Sequence, residues 1–475
     1  MNAYIPLVSR VVLFFTLIST TAFADQFENL APRTTHVESN RDTYTIDSIR
    51  EASTLDQFQP LHGMQFTRGY TGGKDHWLRI DLGGPDNSGW KALEFSNPRL
   101  GEVTVFYPNN EGAYQEFSLG TRHDFWARQI GGLAPAFPIR LRNDRATSYF
   151  VRIRHFGSLR FEVRLWDFNT HNRHANRTMA FYMLLSGALV TLAAYNLCVY
   201  LHLRQRSYLW LSLFLVTLNF NLMATSGTAN MLLWPAPSWL SFHSMTITSV
   251  LALCSGIAFA TDYLKNAPGA SILNRIAVSA GGTAVLGMIG TFFQISSAFY
   301  VIILGSLLAA VAASILSARA VWARQPFALA FLCCWGLLFL GVFITCLKDP
   351  GYIPSTPLTE NFIFLAALPA AVGWSFSLTS QIKKRELEQR ALLEQKVADR
   401  TTALEQAVEE VKTLHELLPI CCSCKKIRDD DGYWQHVETY LQTHMSTDVS
   451  HGICPDCAAN LYPNYFPESR SKANQ

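Results

Sequence analysis

Two cysteine pairs near the end of this 475-residue chain have the residue types and spacing of a metal site. Cys421-x-x-Cys424 and Cys454-x-x-Cys457 each hold two thiols one short turn apart, with 29 residues between the pairs. Two such pairs supply the four soft ligands of a tetrahedral structural zinc site. A C-x-x-C pair can also work as a redox dithiol, but that use goes with a βαβ setting, which this stretch lacks. Cys422 is a fifth thiol within reach, and His451 lies three residues before Cys454, so both are substitute ligands. The expected module spans residues 419–465, with a small helix such as Trp434 to His444 between the pairs and a disordered tail over 466–475. A domain of this size buries too thin a core to stand without a staple.

The element that carries this module is a charged helix over residues 381–418. Val397, Leu404, Val411 and Leu418 recur every seven residues, and Leu393, Arg400, Ala407 and Leu414 fill the second seam position. Such a register predicts a coiled coil, flawed at Arg400, and a parallel homodimer that keeps the stripe out of water. His415-Glu416 resembles a kinase phospho-acceptor only loosely. Pro419 falls one residue early, and the 60 residues after His415 are too few for an ATP-binding domain.

Upstream, residues 177–380 hold seven apolar stretches: Ala180–Leu201, Tyr208–Gly227, Leu240–Tyr263, Ile276–Phe293, Phe299–Ser317, Ala328–Leu347 and Phe362–Ser380. Each is long enough to cross a bilayer as a helix. An odd number sets the flanking parts on opposite sides. The loops after the first, third and fifth stretches carry Arg204 and Arg206, Lys265 and Arg275, and Arg319 and Arg324, and Lys383-Lys384-Arg385 follows the seventh. The loops between carry only Lys348, so the positive-inside rule puts the C-terminus in the cytoplasm. Residues 1–24 agree: Arg10, an apolar run from Val11 to Ile18 and Ala22-Phe23-Ala24 read as a cleaved signal peptide, against an uncleaved anchor. The expected location is a bacterial inner membrane. Few ionisable residues sit within the stretches (Asp262 and His243 near ends), which disfavours a transporter. Asn196, Asn219 and Asn221 read as interhelical hydrogen-bond partners.

Residues 25–170 alternate apolar and polar positions, as in His76 to Leu82, Glu102 to Tyr107 and Tyr149 to Arg154, with Gly, Pro and Asn between. Short strands punctuated in this way predict a periplasmic β-sandwich. It has no cysteine, so no disulfide holds it. Trp90, Trp126 and Tyr114 either fill the core or stack on a sugar ring. Arg122, His123, Asp124 and Arg128 cluster beside Trp126, which makes Trp126, Arg122 and Arg128 candidate ligand residues.

A net charge of +3 gives no sign of a nucleic-acid partner. The phrases His76–Leu82, Leu93-Glu94-Phe95-Ser96-Asn97-Pro98-Arg99-Leu100 and Gly157-Ser158-Leu159 before Leu165-Trp166 resemble the type 2 extracellular sensor domain of bacterial seven-transmembrane receptors with diverse intracellular signalling modules. Leu197 to Trp210 resembles the start of that family's seven-helix domain. The resemblance implies a jelly roll similar to carbohydrate-binding modules. Residues Leu418 to Tyr462 are similar to a four-cysteine module at the ends of bacterial signalling proteins, which has no assigned catalysis; Cys422 departs from its usual pattern. The expectation is a non-enzymatic receptor. It would sense a periplasmic small molecule or carbohydrate and act on a cytoplasmic signalling protein through the zinc module. A membrane-bound enzyme with a degenerate or redox-active tail, and a transporter with an accessory domain, are the rivals. No phosphate-cradling glycine loop appears in the cytoplasmic part.

Overall fold

Alternating apolar residues build the N-terminal domain of the computed structural model. It describes residues 26–51, 57–61, 63–70, 72–83, 89–109, 113–141, 147–293, 295, 297–325, 327–415, 418–429, 431–444, 449–463 and 465. The expected signal peptide at 1–24 and the expected disordered tail at 466–475 lie outside them. Strands β1 (Glu28–Asn29), β2 (Thr34–Ser39), β3 (Gln59–Pro60), β4 (Phe66–Tyr70), β5 (Asp75–Leu82) and β6 (Gly89–Phe95) come first. They are followed by β7 (Glu102–Pro108), β8 (Tyr114–Leu119), β9 (Ala136–Leu141), β10 (Thr147–Arg154), β11 (Ser158–Phe161) and β12 (Val163–Asp167). A six-stranded sheet in the order β3-β2-β5-β10-β7-β8 faces a four-stranded sheet in the order β1-β12-β6-β9. The chain crosses between the sheets repeatedly, as a jelly roll requires.

Leu78, Ile80, Val105, Val151 and Ile153 from one sheet meet Leu93, Phe95, Phe137, Ile139 and Leu165 from the other in one apolar core. Because strand side chains alternate, Trp77, Phe106 and Phe150 point to the opposite face of the large sheet. There they are covered by Ile49 of the short helix α1 (Ile46–Arg50).

Seven helices are long and apolar enough to cross a membrane. They are α2 (Phe168–Leu203), α3 (Arg206–Ser226), α5 (Trp239–Tyr263), α6 (Ala270–Phe292), α7 (Ala298–Trp322), α8 (Ala328–Lys348) and α9 (Pro357–His415), with a short α4 (Thr228–Leu232). Each covers one of the expected stretches, two of which end a single residue beyond the helix, at Gly227 and Phe293. One runs much further than expected. Helix α2 begins at Phe168, directly after β12, because Asp167 already sits in the extended N-cap conformation and Trp166 stacks on His174 4.8 Å away. Helix α9 joins the seventh stretch to the charged helix without a break. Pro369 lies inside α9, a placement that packing against neighbouring helices tolerates in membrane bundles.

The bundle core is aromatic. Trp374, fully buried, packs against Phe214, Phe259, Phe331 and Trp335. Asn196 bonds Ser375 Oγ at 2.8 Å and Asn221 bonds Ser249 Oγ at 2.7 Å, both between helices as expected. Asn219 instead reaches Met223 Sδ one turn along its own helix. Helices α6 and α7 approach so closely that a Cβ on Gly305 would lie 2.7 Å from the Ala280 carbonyl oxygen. Small residues at the crossing are what permit this.

The chain divides into two compact units, Met1–Lys384 and Arg385–Gln475. In the second, Leu393, Val397 and Leu404 are all exposed along α9; the side chains of Val411 and Leu414 lie outside the described residues. Beyond the helix come β13 (Ile427–Arg428), β14 (Trp434–Gln435), α10 (Val437–His444) and α11 (Pro455–Leu461). The helix expected from Trp434 begins at Val437 instead. Trp434 and Gln435 pair with Arg428 and Ile427 in a hairpin, whose turn is fixed by Asp429 accepting the Tyr433 N–H at 2.7 Å.

Candidate functional sites: the sandwich–bundle contact and the cysteine pairs

The sandwich is fastened to the bundle at three places. At the first, β12 passes into α2 with no intervening loop. Glu94 of β6 meets His171 Nε2 of α2 at 2.9 Å, and Arg164 of β12 lies 3.4 Å from the same carboxyl group. Burial alone would push the Glu94 carboxyl upward, but the His171 hydrogen bond and the Arg164 charge outweigh it and hold it below the usual range.

The second contact holds the segment between α8 and α9. Ser158 Oγ donates to the Asp349 carbonyl at 2.6 Å. Gln65 clasps Ser355 twice, donating to its carbonyl at 2.7 Å and accepting from its N–H at 3.2 Å. Arg160 lies 3.8 Å from Asp349 and 3.6 Å from Glu360. Gly351 adopts φ 96°, and a Cβ there would stand 2.6 Å from Thr67 Cγ2, so only glycine lets the segment lie this close to β4. Thus the sandwich grips the start of the helix that continues to His415.

At the third contact, the Phe125 N–H donates to the Pro235 carbonyl at 2.9 Å, and Phe156 packs on Phe242 and Phe299. This contact explains much of the predicted ligand cluster. The Arg122 guanidinium lies over the Phe242 ring at 5.3 Å. Arg128 is half-buried and donates to the carbonyls of Gly132 and Leu133, both at 2.8 Å, and desolvation of its guanidinium pushes it down to about 10. Trp126, 67% exposed, and Trp90, 59% exposed, stand open, whereas Tyr114 packs on Phe150 and donates to the Ser148 carbonyl. The gripping residues Gln65, Ser158 and Arg160 were not singled out in the sequence. The available signal was Lys348-Asp349 and Glu360, charges that flank two otherwise uncharged stretches.

In the second unit, Cys421 and Cys424 lie on a tight turn before β13: the Lys425 N–H donates to the Cys421 carbonyl at 2.9 Å and the Cys421 N–H to Lys426 at 2.8 Å. Backbone N–H groups of Cys424 and Ser423 face the Cys421 sulfur and lower its thiol pKa. Cys454 is the N-cap of α11, and the N–H of Cys457 lowers its thiol in the same way. Within each pair the sulfurs are in hydrogen-bond reach, but among the described residues no three metal-ligating side chains converge. Cys422 is exposed, and His451 stands 4.0 Å from Glu438. Only Ile427 and Tyr440 are buried apolar side chains in this unit among the described residues.

Two family models match the chain. Residues 31–167 match the extracellular 2 domain of the 7TMR-DISM receptors, and residues 178–381 match the 7TM diverse intracellular signalling domain. No curated protein matches the chain. The first match covers the sandwich and the second runs through all seven long apolar helices to the start of the charged segment. With a sensor-type sandwich and a seven-helix signalling domain filling well over half its length, the chain is a multi-pass membrane protein that belongs to the seven-transmembrane receptors with diverse intracellular signalling modules.

Proposed function

We propose that this receptor sits in a bacterial inner membrane with its sandwich in the periplasm and its cysteine module in the cytoplasm, and that it signals without catalysis of its own. The observation that carries this reading is the double attachment of the sandwich. It continues into α2 and also grips the segment that opens α9. A ligand that tilts the sandwich therefore works on the first and last helices of the bundle together, and α9 continues the motion along 59 residues. The open ring of Trp90 on the four-stranded sheet suits stacking on a carbohydrate.

The exposed stripe Leu393, Val397 and Leu404 favours pairing with a second copy as a coiled coil, since an unpaired apolar stripe stays wet. Cys421, Cys424, Cys454 and Cys457 would hold one zinc ion. The thiol-facing amides favour the thiolate at Cys421 and Cys454, and a unit with two buried apolar side chains among its described residues needs a staple. The metal would fix the fold of a surface that docks on a separate cytoplasmic signalling protein. Its small size and the lack of a glycine-rich phosphate loop support a non-enzymatic role.

The test is disulfide trapping in membranes. Leu404→Cys in the full-length receptor should cross-link two copies. Adding Gln65→Ala and Ser158→Ala, which release the α8–α9 segment, should change the cross-linked fraction at least about twofold. A Leu404→Cys protein that stays uncrosslinked, or trapping blind to the two sandwich substitutions, refutes the relay.

A further inference from the structure

Where the sandwich meets the bundle, two cavities share a wall. One, of about 320 Å³, has a mixed wall whose polar part comes from both sides, from Glu94, Arg160, Glu162, Arg164, Ser355 and Asn361. The other, of about 280 Å³, lies among the helices and is apolar, with Leu218, Ile302, Trp335, Leu338, Phe339 and Ile363 around it. Arg99, Thr225, Lys348 and Glu360 line both.

The charges at this junction are unevenly matched. Arg164 is satisfied by Glu162 at 2.8 Å and by Glu94, and Arg160 faces Glu360 and Asp349. Glu94 is further engaged by His171, and Glu162 accepts from Gln65. Lys348 is only 6% exposed, and among the described residues no hydrogen bond or ion pair ties its ammonium. The Arg99 guanidinium reaches the thioether of Met245 at 2.8 Å, a weak acceptor. Arg160 Nη1 is buried without a hydrogen-bond partner. Thus the shared wall carries two cations with no carboxylate in hydrogen-bond or ion-pair reach, one of them more than nine-tenths buried; Glu360 on the same wall acts on Lys348 from beyond ion-pair distance and already faces Arg160. A buried ammonium is costly without a counter-charge.

We propose that the junction binds a single-chain amphiphile, its anionic head group (carboxylate or phosphate) between Lys348 and Arg99 and its hydrocarbon tail in the apolar cavity. The head supplies the close counter-charge that Lys348 and Arg99 lack, and the tail fills a chamber in which a polyol would leave its hydroxyls unpaired. An inorganic anion would satisfy the cations but leave the apolar chamber unfilled. This site is separate from any sugar-stacking surface on the sandwich and stands whether or not that surface is used. Its lining includes Glu360 and Ile363 of α9, so occupancy bears on the helix that the sandwich grips.

The test uses the full-length receptor in phosphatidylcholine nanodiscs and palmitate carrying a diazirine near the tail end. Saturable labelling is expected in peptides of α7 and α8 that contain Ile302 and Phe339, competed by hexadecyl phosphate and not by dodecyl maltoside. Lys348→Met should weaken the labelling about tenfold or more, while Lys348→Arg stays within about threefold. Ser306→Phe, which fills the apolar cavity, should abolish it with both cations intact, each variant being checked for a monodisperse peak. Equal competition by the maltoside, or undiminished labelling in Lys348→Met or Ser306→Phe, overturns the proposal. Native mass spectrometry of the extracted receptor separates the sources. A retained lysophospholipid mass indicates the bilayer, a retained fatty-acid mass indicates a free amphiphile, and a receptor that holds neither and takes up no palmitate refutes the site.

Discussion

His76 is fully buried in β5, and neither ring nitrogen has a hydrogen-bond partner. Burial pushes its imidazole down to about 4, against an opposing pull from Glu38. In the folded sandwich the ring therefore stays neutral where the unfolded chain would protonate it. Its contribution is complete above pH 6.5 and is lost as the pH falls from there towards 4, by roughly 3 kcal/mol. Chemical denaturation across that range should show His76→Phe with a flatter loss than the parent. Some slope should remain from His155, which burial lowers to about 3. A variant whose slope matches the parent's would remove His76 from the account. At this scale the sequence was least informative. Arg128 and Trp126 stand two positions apart in a polar-aromatic run, and nothing in that run distinguishes an arginine spent on carbonyls from a tryptophan left open.

Elements were more legible, because their signals are periodic. Alternation marked β5, β7 and β10, and apolar length marked all seven crossing helices to within about a turn at most ends. What periodicity could not convey was the early start of α2. Residues 168–179 are too polar to read as part of a span, yet they are helical: β12 leads into them through Asp167 in the extended N-cap conformation, and His174 packs on Trp166. Likewise Trp434 carries no mark that separates a strand from a first helical turn; the Asp429 turn decides it. The cysteine module is an element whose fold should depend on its metal. For the Arg385–Gln475 unit, we expect one zinc per chain by elemental analysis. Cys424→Ser with Cys457→Ser should lose both the metal and the cooperative melt. A metal-free unit that melts cooperatively and cycles through a reversible disulfide would move the pairs to redox chemistry.

At the scale of the whole molecule, strand alternation and span count made the order of parts legible, while the contact between them was not. Gln65 and Ser355 are 290 positions apart, and no pattern within either segment announces the other. The uninterrupted passage from Asp167 into Phe168 has a consequence for how this receptor could be tuned. A flexible linker would absorb added residues, but here each one inserted at that junction advances the helix by ~1.5 Å and turns it by ~100° against the sandwich. The junction is therefore a phase dial. Alanine insertions of one to four residues should modulate Leu404→Cys trapping with the helical period. Two residues should sit nearly in antiphase, and four, returning to within ~40° of the start, should recover most of the parent's level. Trapping that decays steadily with insert length would mean that the joint transmits separation alone and carries no angular information.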